Sequence, residues 1–300
     1  MNPREVRWER MFPDELEAAF QNCPVLYFAY GLCEPHGPQN AVGLDALKAH
    51  AVVCKAARKY GGIAAPPDYW HIHELGGYAY WAHSSVGEVE RHWMTSVPPW
   101  IHFKNICYQI RTADALGFRA AVLLTGHYGP NWEDLKTLTQ LIQPYAAVRL
   151  YSLPDFEANL PGMDGATGDH AGKVETSLLW ALEPDCVDMS RMPDRDDHGP
   201  HFAMGANAFE ADRRVGERMA EDEARFLGEK ARELLEAYEE AHQGREPANR
   251  LRTFDDAERV WEEAVLPALG EFKTMNGPPG QEPLPSSSVW SANSPIPKRG

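Results

Sequence analysis

Residues 24–30 read PVLYFAY and are followed by Gly31, and this stretch decides how the rest of the chain is interpreted. A short aromatic and β-branched run that ends at a glycine is typical of a strand buried on both faces. From residue 44 to residue 60 apolar side chains recur at helical spacing, until two glycines at 61 and 62 end the pattern. A buried strand, a loop and a helix in this order predict the first unit of an α/β fold.

The same alternation returns later in the chain. Residues 120–125, AAVLLT, predict a second buried strand, and the amphipathic residues 132–142 predict the helix after it. Residues 146–153 are strand-like, and residues 63–67 are compatible with a further short strand. Helices are also predicted at residues 11–22, 101–116, 213–243 and 254–269. Alternating strands and helices indicate a mostly parallel sheet with helices on both faces.

Composition and charge narrow the classes of partner. The 300 residues include 29 Lys+Arg and 44 Asp+Glu, a net charge of −15, which repels phosphate backbones and anionic membranes. We therefore expect no nucleic-acid and no membrane partner. No apolar run approaches the roughly 20 residues of a membrane span, and the charged N-terminus is unlike a signal peptide. The five cysteines are odd in number and include no Cys-x-x-Cys pair, as in a reducing compartment, so we predict a cytoplasmic protein.

Carboxylate and imidazole side chains follow the predicted strands or stand in turns rich in glycine and proline. They are Glu34, His36, Asp45, His127, Asp169, His170 and Glu175. The loops beyond the carboxyl ends of parallel strands line the binding crevice of such a sheet. A mixed set of nitrogen and oxygen donors suits Zn²⁺ or Mn²⁺, and Fe²⁺ is also compatible. Since no redox motif accompanies the set, hydrolysis by metal-activated water is the simplest use for it.

Each of these residues also has a purely structural interpretation. Asp45 stands where a helix cap is expected, and His36 lies between proline and glycine, as a turn residue does. His127 is compatible with a hydrogen bond to a nearby carbonyl, and Glu175 with a solvated helix surface. The occurrence of acids and imidazoles together at the ends of successive elements favours the metal site.

Three segments resemble motifs of the creatininase (creatinine amidohydrolase) family. Residues 31–45, which begin GLCEPHGP and end GLD, resemble the family signature built on Glu, His and Asp. Residues 126–131, GHYGPN, resemble its Gly-His motif, and residues 169–177, DHAGKVETS, resemble its His-Ala-Gly…Glu-Thr-Ser block. The motifs occur in the family order, and the likeness covers roughly residues 20–240.

The resemblance implies an α/β three-layer sandwich, two divalent metal ions and a homo-oligomer, often a hexamer. On the matching positions the metal ligands would be Glu34, His36, Asp45 and His127, with Asp45 bridging the two ions. The position of the fifth ligand in creatininase itself is Gly129 here. In other relatives the glutamate of the third motif takes this role, which points to Glu175, counted both as ligand and as catalytic residue.

The resemblance also implies a mechanism for a small-molecule substrate. A water that bridges the metals would attack a carbonyl carbon, and His170, oriented by Asp169 or another carboxylate, would carry a proton to the leaving group. Tyr128 would line the pocket, and Asp169 would help to bind substrate. His73 is a further candidate for substrate binding, with core or surface packing as its alternative.

Several positions depart from the family pattern. The tryptophan that stacks on creatinine in creatininase is replaced by Ala166, and the insertion containing His71, His73 and His83 has no counterpart. We therefore expect a rebuilt pocket and a substrate other than creatinine. The predicted reaction is hydrolysis of the C–N bond of an amide, cyclic amide or formamide. The alternatives are hydrolytic opening of a cyclic polyol ketone at a C–C bond, or a catalytically silent family member.

The predicted organisation is a single domain over residues 1–276. It comprises the family core and a helical extension over residues 241–276. Residues 277–300 are rich in proline and serine and are predicted to form a tail, which Trp290 would attach to a neighbouring subunit.

Overall fold

A four-stranded, all-parallel sheet forms the centre of the described part of the protein. This computed structural model describes residues 4–73, 86–87, 91–129, 131–197 and 199–276. The strands are β1 (Val25–Tyr30), β2 (Ile63–Ala64), β3 (Ala120–Thr125) and β4 (Arg149–Pro154). Their order in the sheet is β2-β1-β3-β4. Every neighbouring pair is parallel, so the loops after β1 and β3 leave from the same edge of the sheet.

One helix precedes the first strand, and the others connect the strands or follow the last one. They are α1 (Pro13–Asn22), α2 (Leu44–Tyr60), α3 (Pro99–Leu116), α4 (Asn131–Ile142), α5 (Lys173–Leu182), α6 (Arg213–His242), α7 (Phe254–Val260) and α8 (Leu266–Ala268). A π-helical turn, Trp261–Val265, joins the last two. Shorter 3₁₀ turns lie at Trp8–Arg10, Gln143–Tyr145, Asp155–Ala158, Pro184–Cys186, Met189–Arg191, Ala208–Glu210, Leu269–Glu271 and Lys273–Asn276.

The two faces of the sheet carry separate apolar cores. Because side chains alternate along a strand, Leu26 and Phe28 of β1 face one core, while Val25 and Tyr27 face the other. The first core is completed by α1, α3, α4 and the segment around Trp261. The second is completed by α2, α5 and α6. Helices therefore cover the sheet on both faces, and the predicted three-layer α/β architecture is confirmed.

Some predicted boundaries differ from those of the structure. The helix over residues 173–182 was not predicted, because its sequence is short and its apolar side chains do not stand out in a periodic pattern. Residues 146–148 are not part of β4; the backbone N–H groups of Ala147 and Val148 donate to the carboxylate of Asp114 instead. The predicted tail, with Trp290, and His83 lie outside the described residues. None of the described helices combines the length and the apolar character of a membrane span.

Candidate metal centre

The carboxyl ends of β1 and β3 both contact the first turn of α2. This contact positions Asp45, one of the predicted metal ligands. Gly31 directly follows strand β1 and Gly126 directly follows strand β3, and the N–H of Gly126 donates to the carbonyl of Tyr30 at 2.9 Å. A Cβ atom on Gly31 would lie 2.3 Å from the backbone nitrogen of Ala46, and one on Gly126 would lie 2.2 Å from the backbone oxygen of Asp45. Only glycine permits this approach, which brings Asp45 to the carboxyl edge of the sheet.

The carboxylate of Asp45 lies between two histidines, one at each oxygen. Its Oδ1 atom is 3.1 Å from Nε2 of His36, and its Oδ2 atom is 3.1 Å from Nδ1 of His127. All three side chains are at most 4 % exposed. Each oxygen of this carboxylate thus lies beside a different metal-ligand atom. A carboxylate placed in this way has the geometry of a bridge between two cations.

Glutamates complete a donor set on each side of Asp45. On one side, Oε1 of Glu34 lies 3.0 Å from Nδ1 of His127. On the other side, Oε2 of Glu175 lies 3.8 Å from Nε2 of His36. In each set of three the donor atoms lie within 4.8 Å of one another. We call these sets the His127 half (Glu34, Asp45, His127) and the His36 half (His36, Asp45, Glu175); the structure thus brings together all five predicted ligand residues.

The electrostatics of the cluster fit divalent cations. Burial on its own raises the pKa of Glu34, but the neighbouring imidazoles of His127 and His73 hold that pKa well below its usual value. Burial lowers the pKa of His36, yet Asp45 and the other carboxylates outweigh burial and raise it to about 9. Three buried carboxylates at such short range need compensating positive charge. Carboxylate oxygens with imidazole nitrogens are a donor set that Zn²⁺ and Mn²⁺ accept, so the residues present fit these ions.

The outer oxygens of the two glutamates have partners of their own. Nε2 of His73 lies 2.8 Å from Oε2 of Glu34. Nζ of Lys48 lies 2.7 Å from Oε1 of Glu175. His73 was predicted to bind substrate; in the structure its ring stands against a predicted metal ligand.

Lys48 is fully buried and was missed by the sequence analysis. Besides Glu175, its ammonium group lies 2.7 Å from the hydroxyl of Tyr128 and 3.1 Å from Oδ2 of Asp155. The sequence does contain a pattern that indicates a buried Lys48. Lys48 stands four residues after Leu44 and four before Val52, on the apolar stripe of α2, where a lysine needs a buried partner.

Two residues predicted to bind substrate make contacts within the protein. The hydroxyl of Tyr128 donates to Oδ1 of Asp155 at 2.5 Å and accepts from Lys48. Both carboxylate oxygens of Asp169 accept backbone N–H groups at the start of α5, from Val174 at 2.8 Å and from Glu175 at 3.1 Å. Asp169 therefore caps the helix that carries Glu175.

His170 lies at the border between the buried cluster and a cavity. Its Nε2 atom is 2.9 Å from the carbonyl oxygen of Pro35, so this carbonyl, rather than the predicted Asp169, orients the ring. The cavity beside it has a volume of about 770 Å³. Among the residues that line it are His170, Arg195, His201, Met204 and Phe209. His201 and the two residues after it have positive φ angles of 38°, 57° and 61°, which is strained backbone for side chains other than glycine.

The strained segment and the residues just after it contact the loops that carry His36 and His170. The carbonyl of Phe202 accepts the N–H of Gly37 at 2.6 Å, in the loop that carries His36. The N–H of Gly205 donates to the carbonyl of Ala171 at 3.2 Å, beside His170. The cavity and the ligand cluster are thus joined through backbone hydrogen bonds.

Comparison with known proteins agrees with this architecture. The structure is similar to that of creatininase with Mn, with 22% identity and a TM-score of 0.60, covering 77% of this chain and 98% of that one. A creatininase mutant of Zn-Zn type gives 24% identity and a TM-score of 0.60, covering 77% and 98%. A creatininase mutant complexed with creatine gives 23% identity and a TM-score of 0.61, covering 77% and 99%. At these identities the likeness establishes the fold. A comparison with curated protein sequences finds no match.

The sequence itself carries the family assignment. The family model described as Creatininase: Creatinine amidohydrolase matches residues 9–241, well over half of the chain. The matched range contains the whole sheet and all five residues of the cluster. The chain therefore belongs to the creatininase family.

Proposed function

We propose that this protein is a metal-dependent hydrolase that cleaves the C–N bond of an amide, a cyclic amide or a formamide. The observation that carries the proposal is the position of Asp45, whose two oxygens each lie 3.1 Å from a different histidine. A glutamate stands on each side, which gives two similar sets of three donors that share one carboxylate. This is a donor arrangement for two divalent cations about one bridging residue.

The residues that would hold the two ions follow from the two halves. Glu34 and His127 would hold one ion, His36 and Glu175 the other, and Asp45 both. When bound, Zn²⁺ or Mn²⁺ supplies Lewis acidity for the scissile carbonyl and a lowered pKa for water, so that hydrolysis proceeds at neutral pH.

His170 is the residue that we propose for proton transfer. A carbonyl oxygen can only accept, so Nε2 of His170, next to the carbonyl of Pro35, carries the hydrogen of the neutral ring. Its Nδ1 atom is then the basic nitrogen, which takes up a proton and passes it to the departing nitrogen of the substrate. Because His170 is exposed beside the cavity, it is accessible to a substrate there.

The cavity and the sequence departures support a substrate other than creatinine. Ala166 stands where creatininase has a stacking tryptophan, so this position carries no aromatic ring. The wall beside His170 instead contains Met204 and Phe209, together with the guanidinium group of Arg195. A volume of about 770 Å³ accepts a small molecule larger than creatinine.

Metal analysis joined to a substrate screen tests the proposal. We expect two divalent ions per chain in protein loaded with Zn²⁺ or Mn²⁺ and freed of excess metal, and turnover of at least one amide, cyclic amide or formamide. Hydrolysis of cyclic polyol ketones alone would establish the C–C reaction instead. Two bound ions with no turnover of either class would indicate a catalytically silent protein, and failure to bind any ion would refute the proposal.

A further inference from the structure

Each terminal glutamate of the cluster has its outer oxygen held by one nitrogen side chain. Lys48 holds Oε1 of Glu175, while Oε2 accepts the backbone N–H of Ala171 at 2.8 Å and lies 3.8 Å from Nε2 of His36. His73 holds Oε2 of Glu34, which leaves Oε1 directed towards His127. The two halves are therefore built alike, although Lys48 comes from a helix and His73 from a loop.

We propose that Lys48 and His73 are positioning residues, each of which holds one oxygen of a terminal glutamate so that this glutamate gives a single oxygen to one metal ion. The inference rests on the proposed metal centre and assigns one positioning residue to each of its two ions. Lys48 supports the ion of the His36 half, and His73 supports the ion of the His127 half. Partners of this kind around ligands commonly fix ligand orientation and metal affinity.

The surroundings of Lys48 fix its ammonium group. It donates hydrogen bonds to Oε1 of Glu175 and to the hydroxyl of Tyr128, and it forms an ion pair with Oδ2 of Asp155 at 3.1 Å. The Nζ atom also lies 4.2 Å from the centre of the Tyr128 ring. Lys48 follows Asp45 by one helical turn on α2, so the rigid helix sets the spacing between the bridging carboxylate and the support of Glu175.

The surroundings of His73 fix its ring in a similar way. The ring stacks on that of His127, with centroids 5.7 Å apart and planes inclined by 30°. The side chain is 4 % exposed. The segment that leads to it is anchored to the strand end, since the N–H of Gly31 donates to the carbonyl of Asp68 at 3.1 Å.

Cobalt titration of the full, metal-stripped chain tests the proposal, followed by calorimetry and by the d–d absorption of Co²⁺. The unsubstituted chain should bind two ions. In K48M one ion should bind as before and the other about 10–100-fold more weakly. Its absorption should also change, because Glu175 is then free to bind through both oxygens. H73F, which keeps the stacked ring, should weaken the other ion by a similar factor.

Further variants separate positioning from general damage. K55M changes a lysine of the same helix that pairs with Glu221 at the surface, and should leave both ions unaffected. K48Q keeps a donor and should weaken the ion less than K48M; it also serves if K48M does not fold. If Lys48 acts through Glu175, the double variant K48M/E175Q should bind metal no more weakly than E175Q alone.

The outcomes distinguish this inference from the proposed function. Two ions at unchanged affinity in K48M and H73F, or additive losses in the double variant, would overturn the positioning role and leave the metal centre intact. An unsubstituted chain that binds no Co²⁺ would overturn both.

Discussion

The imidazole of His170 stacks on that of His36, with ring centroids 4.6 Å apart and ring planes inclined by 28°. His36 is fully buried within the ligand cluster, whereas His170 is exposed beside the cavity. The pair therefore links the predicted metal centre to the space that a substrate would enter. His170 also lies within 4.8 Å of donor atoms of Glu34 and His36, so its role as a proton carrier must be separated from a role as a ligand.

Replacing His170 by glutamine separates these two roles. We expect kcat to fall by about 10²–10⁴-fold, the usual contribution of a general acid or base, while two ions stay bound. Steady-state kinetics and elemental analysis of the same sample check this. H242Q changes the last residue of α6, a histidine whose ring packs against that of Tyr238, and should have no effect on either measurement. Loss of an ion from H170Q would assign His170 to the ligands.

Replacing Asp45 by asparagine should remove both ions. The amide has nearly the same shape but no charge, and its nitrogen is a donor that would face a cation or a histidine. Elemental analysis after dialysis should give less than one ion per chain, with turnover lost in parallel. D256N, at the cap of α7, changes an aspartate outside the centre and should keep both ions. Retention of two ions in D45N would refute the bridging assignment.

His102 should make the protein less stable in acid. Burial lowers the pKa of this side chain to about 3, below the 6.5 of an exposed histidine. The unfolded chain therefore takes up this proton first, and the free energy of unfolding falls from about pH 6.5 downwards, by about 1.4 kcal/mol per pH unit. In H102Q this contribution is absent, so the variant should lose about 2 kcal/mol less between pH 6.5 and pH 5.

Urea unfolding of metal-stripped protein at several pH values measures this difference. Stripping the metal removes the separate effect of ligand protonation on metal binding. His71, whose pKa burial and the neighbouring His102 both lower, is present in both chains, so its protonation in the unfolded state is common to the two. Equal pH dependence of the two chains would contradict the prediction.

Gly216 should tolerate no side chain. A Cβ atom there would lie 1.8 Å from the carbonyl oxygen of Ser177, where α6 packs against α5. G216A should therefore reduce the free energy of unfolding by about 1–3 kcal/mol, the usual cost of overpacking. Urea unfolding at pH 7 checks this, with G270A as control, since a Cβ at Gly270 meets nothing within 4 Å. Equal stability of G216A and the unsubstituted chain would show that the helices separate at little cost.

Much of the fold could be predicted because its signals are local. The apolar run of β3 and the periodic pattern of α2 give these elements the same bounds in the sequence and in the structure, and β1 begins one residue later than its predicted run. The start of β4 depends on a contact across the chain, and α5 is capped by a residue that lies before its N-cap position. Asp114, more than 30 residues away, accepts the N–H groups just before β4. Asp169 caps α5 from a position three residues before the N-cap Gly172, so the usual N-cap signal is missing there.

The candidate ligands could be predicted from their motifs, but the side chains that hold the two glutamates in place could not. Glu34 and His36 stand in a recognisable loop, whereas His73 is 39 residues from Glu34 and Lys48 is 127 residues from Glu175. Such partners are fixed only when strands and helices meet. The lysine within the apolar stripe of α2 indicates a buried charge, yet it does not tell which carboxylate lies opposite.

The two glycines at the strand ends have a consequence for how this protein could change over evolution. Gly31 and Gly126 pack against the backbone at the start of α2, so the location of the shared carboxylate is set by backbone contacts that these two glycines permit. The loops that shape the cavity can therefore accept insertions and substitutions without shifting it. The same fold can thus acquire new substrates through changes in the loops around the cavity, while the position of the metal ligands stays the same.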